Sequence, residues 1–89
     1  MALFKVEISR SAQKEIRKIQ PPHRKRVVSA ILKLVKEPRP AECQKIRTFD
    51  NSYRIRVGDY RVVYIVHDDE KVLTIIKVGH RRDVYRNIS

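Results

Sequence analysis

The fold of this chain is decided by one stretch, Tyr53-Arg54-Ile55-Arg56-Val57-Gly58-Asp59-Tyr60-Arg61-Val62-Val63-Tyr64. It contains two β-type runs, rich in Val, Ile and Tyr, that flank a Gly-Asp dipeptide. A dipeptide of the Gly-X type between two such runs is typical of a two-residue hairpin turn. The stretch therefore predicts an antiparallel β-hairpin.

The hairpin register predicts that three arginines share one face of the sheet. A two-residue turn pairs Val57 with Tyr60, Arg56 with Arg61, and Arg54 with Val63. Side chains alternate between the faces of a strand, so the apolar and tyrosine side chains take the face opposite to the arginines: Ile55, Val57, Tyr60, Val62 and Tyr64.

The opposed arginines offer folding no evident advantage, because like charges directly across an antiparallel pair destabilise it. Two explanations remain open. The arginine stems cover exposed Val63, Ile65 and Leu73 while their charged heads stay in water, or the guanidinium groups form a surface that binds phosphate.

The next strand, at about residues 71–79, is expected to extend this face. A three-residue loop, Asp68-Asp69-Glu70, pairs His67 with Lys71 and Arg61 with Lys77. We favour it over a two-residue loop, which would turn Lys77 towards the helices. The register buries Val72, Thr74, Ile76 and Val78, and it predicts a basic cluster on one sheet face: Arg54, Arg56, Arg61, Lys77 and Arg81.

The remaining segments predict a scaffold for this sheet. Residues 2–8 alternate as a half-buried strand does. A helix capped by Ser9 or Ser11 then reaches Pro21-Pro22, and a second helix runs to about Lys36. A connector, Glu37 to Ala41, leads to a short strand near Lys45 and then to strands at about 52–58, 60–67 and 71–79. The expected fold is α+β, with a β-α-α-β-β-β order, a mainly antiparallel sheet packed on an N-terminal helical hairpin, and a short helical turn at 83–88.

Size and charge restrict the possible functions. The 89 residues predict a single domain, 1–89, and contain no apolar run of membrane-spanning length or signal-peptide pattern, so a cytoplasmic protein is expected. The net charge of +11 attracts nucleic acid, acidic protein or anionic lipid. Cys43 is the chain's one cysteine, and with the scattered histidines it gives no zinc-ligand spacing, so neither a disulfide nor a metal site is expected.

Residues 53–64, followed by Val78-Gly79-His80-Arg81-Arg82-Asp83-Val84-Tyr85, resemble the RelE branch of the RelE/ParE toxin superfamily. The resemblance covers essentially the whole chain. It implies a toxin of a type II toxin–antitoxin system, an endoribonuclease that cuts mRNA in the ribosomal A site. The implied partners are a RelB-like antitoxin, a 70S-type ribosome and mRNA. Operator DNA is expected only for the toxin–antitoxin complex, and neither a membrane nor a cofactor is implied.

The resemblance also implies the site residues. Arg61, Arg81 and Tyr85 are the expected catalytic residues, whereas Arg54, Arg56 and His80 are expected to bind RNA. The predicted strand register adds Lys77 to the RNA-binding residues. Arginine is a poor proton donor because its pKa exceeds 12, so proton transfer falls to few groups. Tyr85 either acts as a base or stacks on a nucleobase. By strand parity His80 faces away from the arginines, which leaves packing and proton transfer both open.

Two rival functions share the same scaffold. One is a ParE-like poison of DNA gyrase, although the combination of Arg61, Arg81 and Tyr85 favours the ribonuclease. The other is a non-catalytic nucleic-acid-binding module, which predicts salt-sensitive binding without cleavage.

Overall fold

The computed structural model describes residues 3–47 and 50–80. In them the chain forms β1 (Lys5–Ile8), α1 (Arg10–Lys18), α2 (Pro21–Leu34), β2 (Gln44–Lys45), β3 (Ser52–Val57), β4 (Tyr60–His67) and β5 (Val72–His80). The five strands form one sheet in the order β1-β5-β4-β3-β2, in which β1 runs parallel to β5 and the other neighbours are antiparallel. The predicted α+β class is confirmed. The helical turn predicted at 83–88 lies outside the described residues.

Local chemistry sets the starts of both helices. The Ser9 side chain caps α1, with its Oγ accepting the Ala12 N–H at 3.1 Å. Pro21 occupies the first position of α2, where a missing N–H costs nothing.

Part of the apolar stripe predicted for α2 does not pack on the sheet: Val28 is 40% exposed and Leu32 61%. No helix in the described ranges is long and apolar enough to cross a membrane.

The core lies between the two helices and one face of the sheet. Its largest fully buried side chain is Tyr64, and the helices contribute Ala12, Ile19, Val27, Ile31 and Leu34. Tyr53 and Tyr60 pack against the same cluster. The prediction that Tyr60 and Tyr64 face the core is therefore confirmed.

The predicted β3–β4 register is confirmed in full. Val57 pairs with Tyr60, Arg56 with Arg61 and Arg54 with Val63. Gly58 takes a φ of 62° at the first turn position, a conformation that suits glycine because it has no Cβ.

The predicted β4–β5 register is wrong. The loop contains four residues, because Lys71 adopts a left-handed φ of 58° and β5 resumes with Val72 opposite His67. A β-bulge then shifts the pairing: Tyr64 lies opposite Ile75, but Val63 lies opposite Lys77. The residue opposite Arg61 is accordingly Gly79, and not Lys77.

The two irregularities change which β5 side chains are buried. Leu73 and Ile75 join the core instead of the arginine face, whereas Val72, Thr74 and Ile76 are only half-buried. Val78 is buried, as predicted. Lys77 and Gly79 keep their predicted face, because the bulge restores the parity beyond it.

A hydrogen-bonded clamp, which we define as Pro38, Arg39, Tyr53, Tyr64 and Asp68, holds the connector against the far end of the sheet. Arg39 forms two hydrogen bonds with the Asp68 carboxylate, at 3.0 and 2.8 Å, and donates from Nε to the Tyr53 hydroxyl at 2.9 Å. The Tyr64 hydroxyl donates to the Pro38 carbonyl at 2.6 Å. Arg39 lowers the pKa of the Asp68 carboxyl, whereas burial raises the pKa of the Tyr64 phenol.

Candidate nucleic-acid interface

The three arginines of the β3–β4 hairpin line one pocket, which we call the arginine pocket. It has a volume of 240 Å³ and is lined by Arg54, Arg56, Arg61, Glu42 and Gln44. The hairpin register brings the arginines together, and the chain leading into β2 supplies the other two side chains. Three cations against one carboxylate leave the lining with a net positive charge, which favours an anionic ligand.

Arg61 occupies an unusual position for an arginine, since it is 4% exposed. A buried guanidinium needs acceptors that offset its desolvation. Its Nη1 donates to the Tyr60 carbonyl at 3.3 Å.

Arg54 is oriented by β2. Its Nε donates to the Gln44 Oε1 at 3.0 Å, and its Nη2 donates to the same oxygen. Gln44 pairs with Arg54 in the sheet register, so backbone pairing holds the two side chains together. A guanidinium held in one orientation loses less entropy when it binds phosphate.

Arg56 is the exposed member of the pocket and lies directly across from buried Arg61. A phosphate between them would relieve their repulsion and accept hydrogen bonds from both forks. Glu42 is the acidic side chain of the lining. A carboxylate in that place can accept a proton from an attacking hydroxyl.

Lys77 has a different partner from the one that the sequence predicted. It lies opposite Val63 on the arginine face, but its Nζ is 2.8 Å from Glu15 Oε2 on α1. Glu15 therefore already neutralises the ammonium, so the geometry does not add Lys77 to the arginine pocket.

His80 lies on the helix face, as its parity predicted. It pairs with Tyr60, and the two rings meet edge-on with centroids 6.0 Å apart. Tyr60 also contacts His23 of α2, with ring centroids 5.9 Å apart. The structure therefore does not bring His80 to the arginines, and its role in RNA binding stays a prediction.

Arg81 and Tyr85, the other predicted catalytic residues, lie outside the described residues. Three side chains without a strong signal in the sequence lie at the predicted residues: Glu42 lines the arginine pocket, Gln44 bonds Arg54, and Glu15 pairs with Lys77. The only available signal for Gln44 was its place beside the short predicted strand. Glu15 looked like an ordinary polar residue of an amphipathic helix.

Among residues 3–47 and 50–80, no group of three or more His, Cys, Asp or Glu is arranged to hold a metal ion.

Comparisons with known proteins agree with this fold. The model of a family described as the ParE toxin of the type II toxin–antitoxin system parDE matches residues 6–85. The chain is 31% identical to a candidate RelE1 toxin of Methanocaldococcus jannaschii, over 94% of this chain and 97% of that protein. It is 32% identical to the mRNA interferase toxin RelE of Escherichia coli K12, over 91% of this chain and 85% of that protein.

The same similarity extends to solved structures. The toxin chain of the archaeal RelE–RelB complex from Pyrococcus horikoshii OT3 superposes with a TM-score of 0.79 and 31% identity, covering 91% of this chain and 97% of that one. The helices, the sheet and the arginine hairpin thus define a small toxin-type α+β domain. The chain belongs to the RelE/ParE superfamily of type II toxin–antitoxin toxins.

Proposed function

We propose that this toxin is a ribosome-dependent endoribonuclease that cuts mRNA in the A site and thereby inhibits translation. The observation that carries the proposal is the arginine pocket, in which the opposed pair Arg56 and Arg61 lies beside Arg54. Arginine forks suit the phosphates of RNA. The E. coli relative named an mRNA interferase supports the same reading.

The proposed reaction is attack of a ribose 2′-hydroxyl on the adjacent phosphate. The 2′-hydroxyl gives its proton to the Glu42 carboxylate or to water as its oxygen forms a bond to phosphorus. The bond to the 5′-oxygen breaks, and that oxygen takes up a proton from water, giving a cyclic phosphate and a 5′-hydroxyl. Arg61 and Arg81 stabilise the extra negative charge of the transition state. Arg54 and Arg56 hold the RNA backbone, and Tyr85 orients the nucleotide. The pocket is poor in groups that titrate near neutral pH, so the ribosome supplies alignment of the substrate.

The test is mRNA cleavage on stalled ribosomes by wild type, Arg61→Ala, Arg81→Ala and Tyr85→Phe. Loss of one preorganised charge partner typically costs about 10²–10³ in rate, so we expect losses of that size for the two arginine variants. Lys14→Ala, which removes an exposed charge from α1, serves as the control and retains full activity. Undiminished cutting by all three site variants contradicts the catalytic assignment.

A second candidate is poisoning of DNA gyrase, because the matching family model bears the name of the ParE toxins. The two functions are separated by expressing the protein from an inducible promoter. Codon-phased 5′ ends in cellular mRNA support the ribonuclease, whereas trapped gyrase–DNA complexes with intact mRNA support the gyrase poison.

The proposed physiological partner is a RelB-like antitoxin. The solved relative from P. horikoshii is a RelE–RelB complex, and the +11 charge of this chain favours an acidic contact surface on the partner. Co-expression with the product of the adjacent gene restores growth if that product is the antitoxin.

A further inference from the structure

Helix α1 takes the place of a strand along part of the edge of β5. The strand β1 pairs with β5 only as far as Ile8 opposite Ile75. Ser9 then donates from its backbone N–H to the Ile75 carbonyl at 2.9 Å and from Oγ to the Ile76 carbonyl at 3.4 Å. Further along, the Val78 N–H donates to Glu15 Oε1 at 2.9 Å. Side chains of the helix therefore continue the hydrogen bonding that a strand would otherwise provide.

Among these side chains, Glu15 forms the strongest hydrogen bond to β5. One carboxylate oxygen accepts the Val78 N–H, and the other lies 2.8 Å from Lys77 Nζ. The Glu15 and Lys77 side chains are 25% and 23% exposed, so water competes only partly for both. A hydrogen bond from a backbone N–H to a carboxylate is roughly twice as strong as one between neutral groups.

The helix that carries Glu15 is itself fixed to the core. Ala12 lies three residues before Glu15 on the same side of α1 and is buried, and Ile19, the C-cap residue of α1, is buried too. Glu15 therefore joins the backbone of β5 to a helix that packs in the core.

The hydrogen bond between Glu15 and Val78 lies close to the arginine pocket along β5. Val78 immediately precedes Gly79, which lies opposite Arg61, and Arg81 follows two residues later in the chain. Strand ends that have few partners open locally at low cost. We propose that Glu15 is a positioning residue of the arginine pocket: its bond to Val78 fixes residues 78–80 beside Arg61. This inference rests on the proposed ribonuclease function.

Two conservative variants separate the hydrogen bond from the charge. Glu15→Gln keeps an oxygen at the same distance for the Val78 N–H but loses the negative charge. Glu15→Asp keeps the charge but is one methylene shorter, so its carboxylate no longer reaches the strand. Glu70→Gln, in the exposed β4–β5 turn, removes the same charge elsewhere and is the matched control.

Single-turnover mRNA cleavage on stalled ribosomes gives a rate at saturating toxin and a half-saturating toxin concentration for each variant. We expect Glu15→Asp to cut at least 10-fold more slowly at saturation, with its half-saturating concentration within twofold of wild type. Glu15→Gln stays within threefold of wild type in both quantities, and Glu70→Gln matches wild type. Amide exchange at Val78 is faster in Glu15→Asp and unchanged in Glu15→Gln.

Three results would overturn the inference. One is wild-type cleavage by Glu15→Asp. Another is equal loss in Glu15→Asp and Glu15→Gln, which would assign the effect to the ion pair with Lys77. The third is a change in half-saturation alone, which would assign Glu15 to ribosome binding. Failure of the proposed function itself is distinguishable, because then the wild-type protein and Glu70→Gln do not cut either.

Discussion

Arg56 and Arg61 face each other across the hairpin. Their repulsion lowers the stability of the fold, whereas their positions suit the proposed binding of phosphate. The pair is repulsive when the pocket is empty, and one member is almost fully buried. A buried polar side chain is informative because most buried positions are apolar. The pair is readily explained if its partner is an anion that comes from outside the chain.

Replacing Arg56 by Thr is expected to stabilise the free protein and to weaken its binding to RNA. Removing one of two like charges that face each other across a strand pair gains at least some tenths of a kcal/mol, and threonine suits a strand. Chemical unfolding measures the first effect and RNA titration the second. Lys5→Thr, at a strand position opposite Val72, is the control and should raise neither stability nor the dissociation constant. A destabilised Arg56→Thr protein would mean that the arginine stem contributes more by packing than it costs by repulsion.

Tyr64→Phe is expected to lower the free energy of unfolding by about 0.5–1.5 kcal/mol, the net contribution of a typical hydrogen bond. The lost bond joins the Tyr64 hydroxyl to the Pro38 carbonyl. Tyr53→Phe removes a hydroxyl from a more exposed position of the same clamp and should cost less. Urea unfolding of both variants measures the difference, and equal losses would contradict the assigned burial.

At the scale of elements, the sequence predicted one hairpin of the sheet correctly and the other incorrectly. The β3–β4 turn is specified by Gly58, whose glycine-dependent geometry is visible in the sequence. The β4–β5 turn depends on a lysine in the left-handed region and on a bulge at Ile76. Neither has a residue signature, because both result from packing Leu73 and Ile75 into the core. Tertiary burial outweighed the simple alternation that the prediction assumed.

The clamp between the connector and the β4–β5 turn predicts a pH dependence of stability. Asp68 has a folded-state pKa below its ordinary value of about 3.9 because Arg39 favours the carboxylate. Its contribution is therefore complete above about pH 4 and is lost as the pH falls through the lowered folded-state pKa. The stability difference between wild type and Asp68→Asn should be constant from about pH 5 to 8 and shrink below about pH 4. Asp69→Asn is the control, and a difference that grows on acidification would reverse the assigned sign.

For the whole molecule, the +11 charge and the arginine pocket predict different salt dependences. A phosphate contact on single-stranded nucleic acid contributes about −0.7 to the slope of log affinity against log salt concentration. A short RNA that fills only the pocket should therefore give a slope near −2, from three arginines. Arg61→Ala should reduce its magnitude by about 0.7, whereas Lys14→Ala leaves it unchanged. Equal effects of both substitutions would indicate general attraction and no defined pocket.

Some residues of the candidate site could be predicted from the sequence, and others could not. The three arginines belong to one hairpin, so their common face follows from strand parity. Gln44, Glu42 and Glu15 reach the arginines or β5 from segments 10 to 63 residues away in the chain. Such contacts depend on how the helices and the sheet edge meet, which no local pattern encodes.

The bulge in β5 affects which sequence changes this strand tolerates. Before it, odd-numbered positions such as 73 and 75 are buried; after it, the buried position is 78 and odd positions 77 and 79 face the arginines. The bulge thus changes which positions of β5 meet the core, from odd-numbered Leu73 and Ile75 to even-numbered Val78. Deleting Ile76, the extra residue, would leave every later side chain on its present face, because Lys77 would then follow Ile75 in plain alternation and still lie opposite Val63. The bulge is therefore a place where the chain tolerates a one-residue deletion.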